Sequence, residues 1–325
     1  MIDRMKDGDP DAMAWRTELK NNYSSTVPAD GGYLIPEIMR SGLLELALQQ
    51  AIVRPRAFVI PMDSLRVILP SLDVTSNVAS VFGGMIGYWT AEGAAFTPSQ
   101  ARFGRTMLEA KKLTGFSLVP AELLQDSPMA FAAFIARQWP KALAWFEDNG
   151  FNSGNGVGQP LGVSNADAVV STTRRVASHI VTEDILEMYS RMLPASVANA
   201  VWEVSPECIP ELGTLSISVG TGGSAVMIMN MANGMPLSIL GRPVIVNEKN
   251  PRLGSAGDIS LRDYSYYVVG DRQTMMAASS VDYAFNTDDT AFKISERVDG
   301  RPWLESSITP ANGGPALSPF VELAA

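Results

Sequence analysis

The chain has 325 residues, of which 46% are hydrophobic, enough for one large domain or two smaller ones with a real core. Only 18% are charged, which suits a subunit that buries surface against its neighbours. The balance of 25 Lys and Arg against 34 Asp and Glu, net −9, excludes nucleic-acid binding through overall charge, since phosphate contacts need a basic patch; an acidic or neutral wall can still enclose DNA.

Residues 1–30 are polar and irregular, with one expected helix. Asp9 can cap it and Pro10 suits its first position. Ala12, Trp15, Leu19 and Tyr23 then form a narrow apolar stripe that needs a partner surface; the alternative is a frayed terminus. Gly31-Gly32 breaks the chain. A helix is expected from Pro36 to Ala51, with Ile38, Leu43, Leu44, Leu46, Ala47 and Leu48 on its apolar side. Strands are expected from Ala57 to Met62 and from Leu65 to Leu69, joined by a turn at Asp63-Ser64.

Residues 74–105 are unusual. They hold five glycines (Gly83, Gly84, Gly87, Gly93, Gly104), yet also Phe82, Met85, Tyr88, Trp89, Phe96 and Phe103, with Glu92, Arg102 and Arg105 as the charged residues. A loop of that length without a core of its own should be polar. This one has too little bulk to bury its aromatics against itself, so another surface must cover them. It reads as a long hairpin arm reaching a neighbouring subunit, or else as a meander inside one domain.

The chain returns as a strand from Thr106 to Val119, and Pro120 to Gln125 allows one helical turn. A long helix is expected from Pro128 to Asn149, capped by Ser127, with Phe131, Phe134, Ile135, Gln138, Trp139, Ala142, Trp145 and Phe146 at helical spacing. Pro140 interrupts it. An internal proline loses a hydrogen bond and clashes with the preceding turn, at ~3 kcal/mol, so a kink near Arg137 to Trp139, or two abutting helices, is expected.

A glycine-rich turn follows from Gly150 to Gly162, and residues 163–270 read as a separate α/β unit. Its helix runs from Thr182 to Met192, with Glu183 and Asp184 in the first turn. Its strands are Ala200 to Val204, Ala225 to Met229, Pro243 to Val246 and Ile259 to Leu261. Further strands are expected at Tyr266 to Val269, Thr274 to Ser279, Ala291 to Val298 and Trp303 to Ile308, with a last one from Pro319 to Leu323.

The search for catalytic chemistry finds no candidate residue. One histidine and one cysteine cannot make a His/Cys metal cluster or a disulfide. His179 beside an expected helix start reads as a structural or surface residue, and Cys208, with Glu207 and Glu211 nearby, reads as a poor nucleophile. Gly154-Asn155-Gly156-Val157-Gly158 lacks the Gly-Lys-Ser/Thr ending of a phosphate loop and follows a helix where a strand is required, so it reads as a structural turn. No cofactor and no metal is implied. The start lacks a signal-peptide core, and no apolar run approaches the ~18 residues that span a bilayer, so a soluble cytoplasmic product without a membrane partner is expected.

The order of short motifs resembles the tailed-bacteriophage major capsid proteins of the Hong Kong ninety-seven type. The strings are Gly31-Gly32-Tyr33-Leu34-Ile35-Pro36, Tyr88-Trp89-Thr90-Ala91-Glu92-Gly93, Lys111-Lys112-Leu113, Pro120-Ala121-Glu122-Leu123-Leu124-Gln125-Asp126-Ser127 and Asn155-Gly156-Val157-Gly158-Gln159-Pro160-Leu161-Gly162. Gly257-Asp258 with Tyr264, Gly270-Asp271-Arg272, Arg297-Val298-Asp299-Gly300 and Ser318-Pro319-Phe320-Val321 complete the series. Each is weak alone; together, in order from residue 31 to 323, they are strong.

The resemblance implies an α+β capsid fold without enzymatic activity. Its parts are an N-terminal arm (1–55), an extended β-hairpin loop with its base strands (56–118), a peripheral domain with a long spine helix (119–162 and 271–325) and an axial α/β domain (163–270). It implies pentamers and hexamers closing an icosahedral shell around double-stranded DNA, assembled in the host cytoplasm. The expected partners are further copies of the chain, a separate scaffolding protein, a portal and a cementing protein. Subunit contacts are expected at Phe82, Met85, Tyr88, Trp89, Glu92, Phe96 and Arg102 of the loop and at Trp15, Leu19 and Tyr23 of the arm, with a hinge at Pro140. Some family members weld subunits through a loop lysine, but no lysine occurs between Lys20 and Lys111, so non-covalent locking is expected here. A long cleaved N-terminal scaffolding domain is also missing, which points to a separate scaffold or a mature product. Two rivals remain: an encapsulin-type shell, separated by whether DNA or an enzyme co-purifies, and an acidic soluble hydrolase built around Gly154 to Gly158, separated by particle size.

Overall fold

A computed structural model describes residues 51–78, 81–126, 131–219, 224–230 and 237–325. The two helices expected before residue 51, and with them Trp15, Leu19 and Tyr23, lie outside the described residues.

The chain enters through Ile52 and Val53, both buried, into β1 (Phe58–Pro61) and β2 (Arg66–Leu72). After a long excursion β3 (Phe103–Glu109) returns beside β2, and β4 (Lys111–Pro120) continues the chain. The single strand expected over Thr106 to Val119 is thus divided at Ala110. On one side of that residue the backbone bonds to β2, and on the other to a different sheet. Helix α1 (Ala121–Asp126) and the long helix α2 (Phe131–Ser153) follow. Pro140 lies inside this one helix, not between two, and the helix runs past Gly150 into the expected turn.

Beyond it come β5 (Val170–Thr172), α3 (Thr182–Ser190), β6 (Val201–Val204), α4 (Ile209–Thr214), β7 (Ser216–Val219), β8 (Ser224–Met227), β9 (Met229–Asn230), β10 (Ser238–Ile239), β11 (Arg242–Val246) and β12 (Ile259–Arg262). The first turn of α3 is closed by the Asp184 carboxylate, which accepts from the Val181 N–H at 3.1 Å. The sequence reading missed α4, because Pro206 and Pro210 look like breakers. Both stand where a helix turn begins, the positions at which proline costs nothing.

The chain closes with β13 (Tyr267–Ala284), β14 (Asp289–Pro302) and β15 (Phe320–Leu323). The two short strands expected within 266–279 are one 18-residue strand whose polar middle coincides with bulges after Asp271 and Gln273. The strand expected from Trp303 to Ile308 does not form. Trp303 stacks on Tyr266 at 5.2 Å, and Ile308 spends its backbone bonds on Leu317.

Two main sheets result. A four-stranded sheet, β1-β13-β14-β4, carries α2 on one face, and a seven-stranded sheet, β5-β15-β12-β6-β11-β10-β9, carries α3 and α4. The C-terminal strand joins the second sheet, pairing with β12 and β5. β6 and β12 sit inside this sheet, so all eight of their residues are buried and they read as unbroken runs. One core packs Ile185, Met188, Trp202 and Leu212 around that sheet, and another joins Ile52, Phe151, Tyr267, Val298 and Phe320 between the two sheets.

Candidate assembly surfaces

The arm starts from a regular base. β2 and β3 pair in register from Arg66↔Glu109 to Leu72↔Phe103, and Arg66 and Lys111 both bind the Glu109 carboxylate. Past Leu72 the ladder ends. Thr75 to Asn77 bridge to Thr309, and the hairpin resumes with the Arg102 N–H donating to the Gly83 carbonyl at 2.7 Å. Gly83 and Gly84 have φ of 74° and 105°, and a Cβ on Gly84 would lie 2.9 Å from the Gln100 carbonyl oxygen. Glycine there allows the positive φ and the close approach of the two limbs. Ile86 and Ser99 are the last residues held across the arm.

The contact residues read from the sequence gather on this arm. Phe82, Met85, Tyr88 and Phe96 are exposed, and Trp89 is fully so. Glu92 also lies at the exposed tip, while Arg102 holds the neck through its backbone. At the root lies an apolar groove of about 590 Å³, lined by Phe58, Leu69, Leu72, Val74, Phe103 and Trp303.

Helix α2 sets Trp139 against the four-stranded sheet. Its ring lies flat over Gly115, where any Cβ would overlap it, and its Nε1 donates to Ser117 Oγ at 3.0 Å. Clefts of about 300 and 360 Å³ flank that ring, so the half of the helix near Pro140 is loosely seated. The other half is tightly held. The spacing read from the sequence placed Phe146 on the inward stripe, but Phe146 is exposed, and Leu143, Glu147, Asp148, Phe151 and Asn152 are buried instead.

Those carboxylates have partners that helical periodicity could not reveal. Asp148 Oδ1 accepts from the Ile52 and Val53 N–H groups at 2.8 Å each, and its Oδ2 binds Lys249 Nζ at 2.6 Å. Arg54 bridges Glu147 at 2.5 Å and Asp271 at 2.9 Å. Burial, with Glu147 and Asp271 nearby, pushes the Glu296 carboxyl up to about 7. A second buried set ties the sheets: Arg262 to Glu203, Asn152 and Ser164, and Tyr264 to Glu203. The only sequence signal for these groups was charge within apolar runs, as in Val201-Trp202-Glu203-Val204.

His179 is exposed and its Nδ1 sits 2.7 Å from Glu211. Cys208 is buried and its thiol is pushed up to about 12, first by burial and then by Asp258, so burial outweighs the acidic neighbours seen in sequence. Gly154 to Gly158 form a turn in which Gly156 and Gly158 have φ of 78° and 71° and Asn155 bridges Leu161. Among the described residues, no group of three or more His, Cys, Asp or Glu could hold a metal ion, and no helix is long and apolar enough to cross a membrane.

The fold has counterparts. A capsid chain of the native GTA particle is 18% identical with a TM-score of 0.73, over 93% of this chain and 99% of that one. A chain of Microbacterium phage Oxtober96 is 14% identical with a TM-score of 0.66, over 93% and 99%. A chain of Mycobacterium phage Adephagia is 15% identical with a TM-score of 0.63, over 92% and 97%. No curated protein matches the sequence. The model of the Phage capsid family matches residues 31–313. With that match over most of its length, and with this fold, the chain belongs to the phage capsid family.

Proposed function

We propose that this major capsid protein, the repeated subunit of an icosahedral virion shell, closes that shell as pentamers and hexamers around double-stranded DNA, through the arm that each copy lays on its neighbour. The observation that carries the proposal is the arm's composition: Trp89 and Phe96 stand exposed at a tip with little charge, a surface that a stable soluble monomer would not keep. An arm-on-neighbour contact is heterologous, the kind that forms rings around symmetry axes when its rotation closes. In this reading residues 163–270 pack about those axes, α2 and the long strands form the periphery, and Trp15, Leu19 and Tyr23 of the N-terminal arm add a further contact. Locking is non-covalent, assembly takes place in the host cytoplasm, and a scaffolding protein, a portal and a cementing protein serve as partners.

The loose seat around Trp139 supports a second element. Pro140 removes one helical hydrogen bond beside a cleft of about 300 Å³, and in this reading α2 bends there as the shell expands. Identical helix angles in precursor and mature shells would refute it.

The test is to purify the expressed chain and image it by negative stain. Closed particles with co-purified DNA are expected. A small monomer would overturn the shell reading, and particles filled with an enzyme would favour a protein-carrying compartment.

A further inference from the structure

The two edges of the four-stranded sheet are not alike. β1, at one side, is four residues long. β4, at the other, runs ten residues and pairs with β14 from Pro120↔Asp289 to Lys111↔Val298 without a bulge. In an antiparallel ladder every second residue turns its N–H and C=O away from the partner strand. Among the described residues, Lys111 to Val119 make no backbone hydrogen bond outside the β14 ladder. Edge strands are normally blunted by charge, proline, bulges or shortness. Here Lys111, Lys112 and Pro120 stand only at the ends, and Leu113 to Val119 carry none of these devices. The result is a straight, uncharged edge on which Phe116 and Leu118 are exposed.

The charges at its ends point to the occupant. Lys112 and Arg297, opposite each other on β4 and β14, make one end basic. Lys111 is there too, although it already binds Glu109 at 3.3 Å. The other end is acidic. Glu122 lies exposed in the first turn of α1, Asp289 stands opposite Pro120, and the Asp288 carbonyl accepts from the Ala121 N–H at 3.0 Å. A strand of the same polarity laid antiparallel would set basic end against acidic end twice, and β4 of a second copy is such a strand. Two identical antiparallel strands are related by a two-fold axis, so their contact is self-complementary, and an icosahedral shell contains two-fold axes.

We propose that two copies join β4 to β4, edge to edge across a two-fold axis and centred on Phe116, so that two four-stranded sheets become one of eight strands. The inference rests on the shell reading and adds a contact that does not use the arm. In this register Phe116 meets Phe116, Thr114 meets Leu118, and Lys112 meets Pro120 beside Glu122 and Asp289. Opposed residues then share a face. Gly115 and its cover, Trp139, stay on one side of the joined sheet. Phe116 and Tyr283, whose rings meet edge to face at 5.4 Å, stay on the other. Backbone hydrogen bonds supply the attachment, and the end charges set the direction, because a parallel pair would bring Lys112 beside Lys112.

The test starts with wild-type particles. Amide exchange across Leu113 to Val119 should be slower in shells than in dissociated subunits, on the order of tenfold or more at alternate residues. Cysteine variants then identify the partner, with purified shells oxidised and run on a non-reducing gel. Cys208 is buried and stays silent. Phe116→Cys alone should give linked dimers, since a disulfide needs Cα atoms within about 7 Å and this residue meets itself. Thr114→Cys and Leu118→Cys should each stay unlinked alone and give dimers when combined. Slowed exchange with dimers and nothing larger supports the pairing. Shells in which Leu113 to Val119 exchange as fast as in free subunits overturn it. So does slowed exchange without dimers, which would mean that another segment covers the edge, and so does a ladder beyond dimers in the combined variant. Each of these leaves the shell reading intact, whereas absence of wild-type particles overturns the shell reading itself.

Discussion

Glu296 offers a perturbation with an unusual sign. It lies on β14 beneath α2, only 3% exposed, and its Oε1 has no hydrogen-bond partner. Glu147 of α2, Asp271 of β13 and Arg54 of the entering segment surround it, two acids against one base. Burial first, then Glu147, lifts its pKa from an ordinary 4.5 to about 7. Between those values the unfolded chain has released the proton and the folded chain has kept it. Stability therefore falls as pH rises through this window and levels off above it. The full effect is on the order of 3 kcal/mol, at about 1.4 kcal/mol for each tenfold change in proton affinity. Glu296→Gln keeps the shape and cannot ionise. It should match the wild type at about pH 4.5 and be more stable by up to roughly that amount at about pH 8. Urea unfolding of dissociated subunits across this range reads the difference, with unchanged m-values confirming the same transition. Parallel pH curves for the two proteins, or a variant destabilised at every pH, would refute the argument.

Other outcomes follow from the same contacts. Asp148→Ala leaves Lys249 buried without its partner and two backbone N–H groups unmet, so a loss of about 3–5 kcal/mol is expected by the same unfolding measurement, and a loss near zero would mean the clamp is dispensable. Gly115→Ala drives a methyl into the Trp139 ring and should cost about 1–3 kcal/mol, with Trp139 fluorescence shifting as the ring is displaced. Trp89→Ser should leave subunit stability within about 0.5 kcal/mol of wild type, because the side chain is fully exposed, while shell formation falls sharply by light scattering.

The elements that read well in the sequence were those whose burial is set locally. β6 and β12 are buried throughout and appear as apolar runs, and α3 announces itself through Asp184 at its first turn. The arm was legible for a negative reason: aromatics without charge or bulk cannot cover themselves, and in the structure they stand uncovered. Strand limits were less legible. Ala110 divides one expected strand and the bulges fuse two others, because a strand ends where its partner does, and the partners of β4 lie some 180 residues away in the chain, as in Lys111↔Val298.

By itself, then, the sequence determined which segments are apolar, where α2 and α3 run, and that residues 74–105 hold more aromatics than they can bury against themselves. Tertiary structure alone decided which face of α2 turns inward, why Glu147, Asp148 and Glu203 are tolerated inside, and which face of the long sheet stays open with Phe116 and Lys293 upon it. The reason is range. Periodicity reports a residue's neighbours within a turn or a strand, but a buried charge depends on a counter-charge brought from far along the chain, as Arg54 is to Glu147 and Lys249 to Asp148.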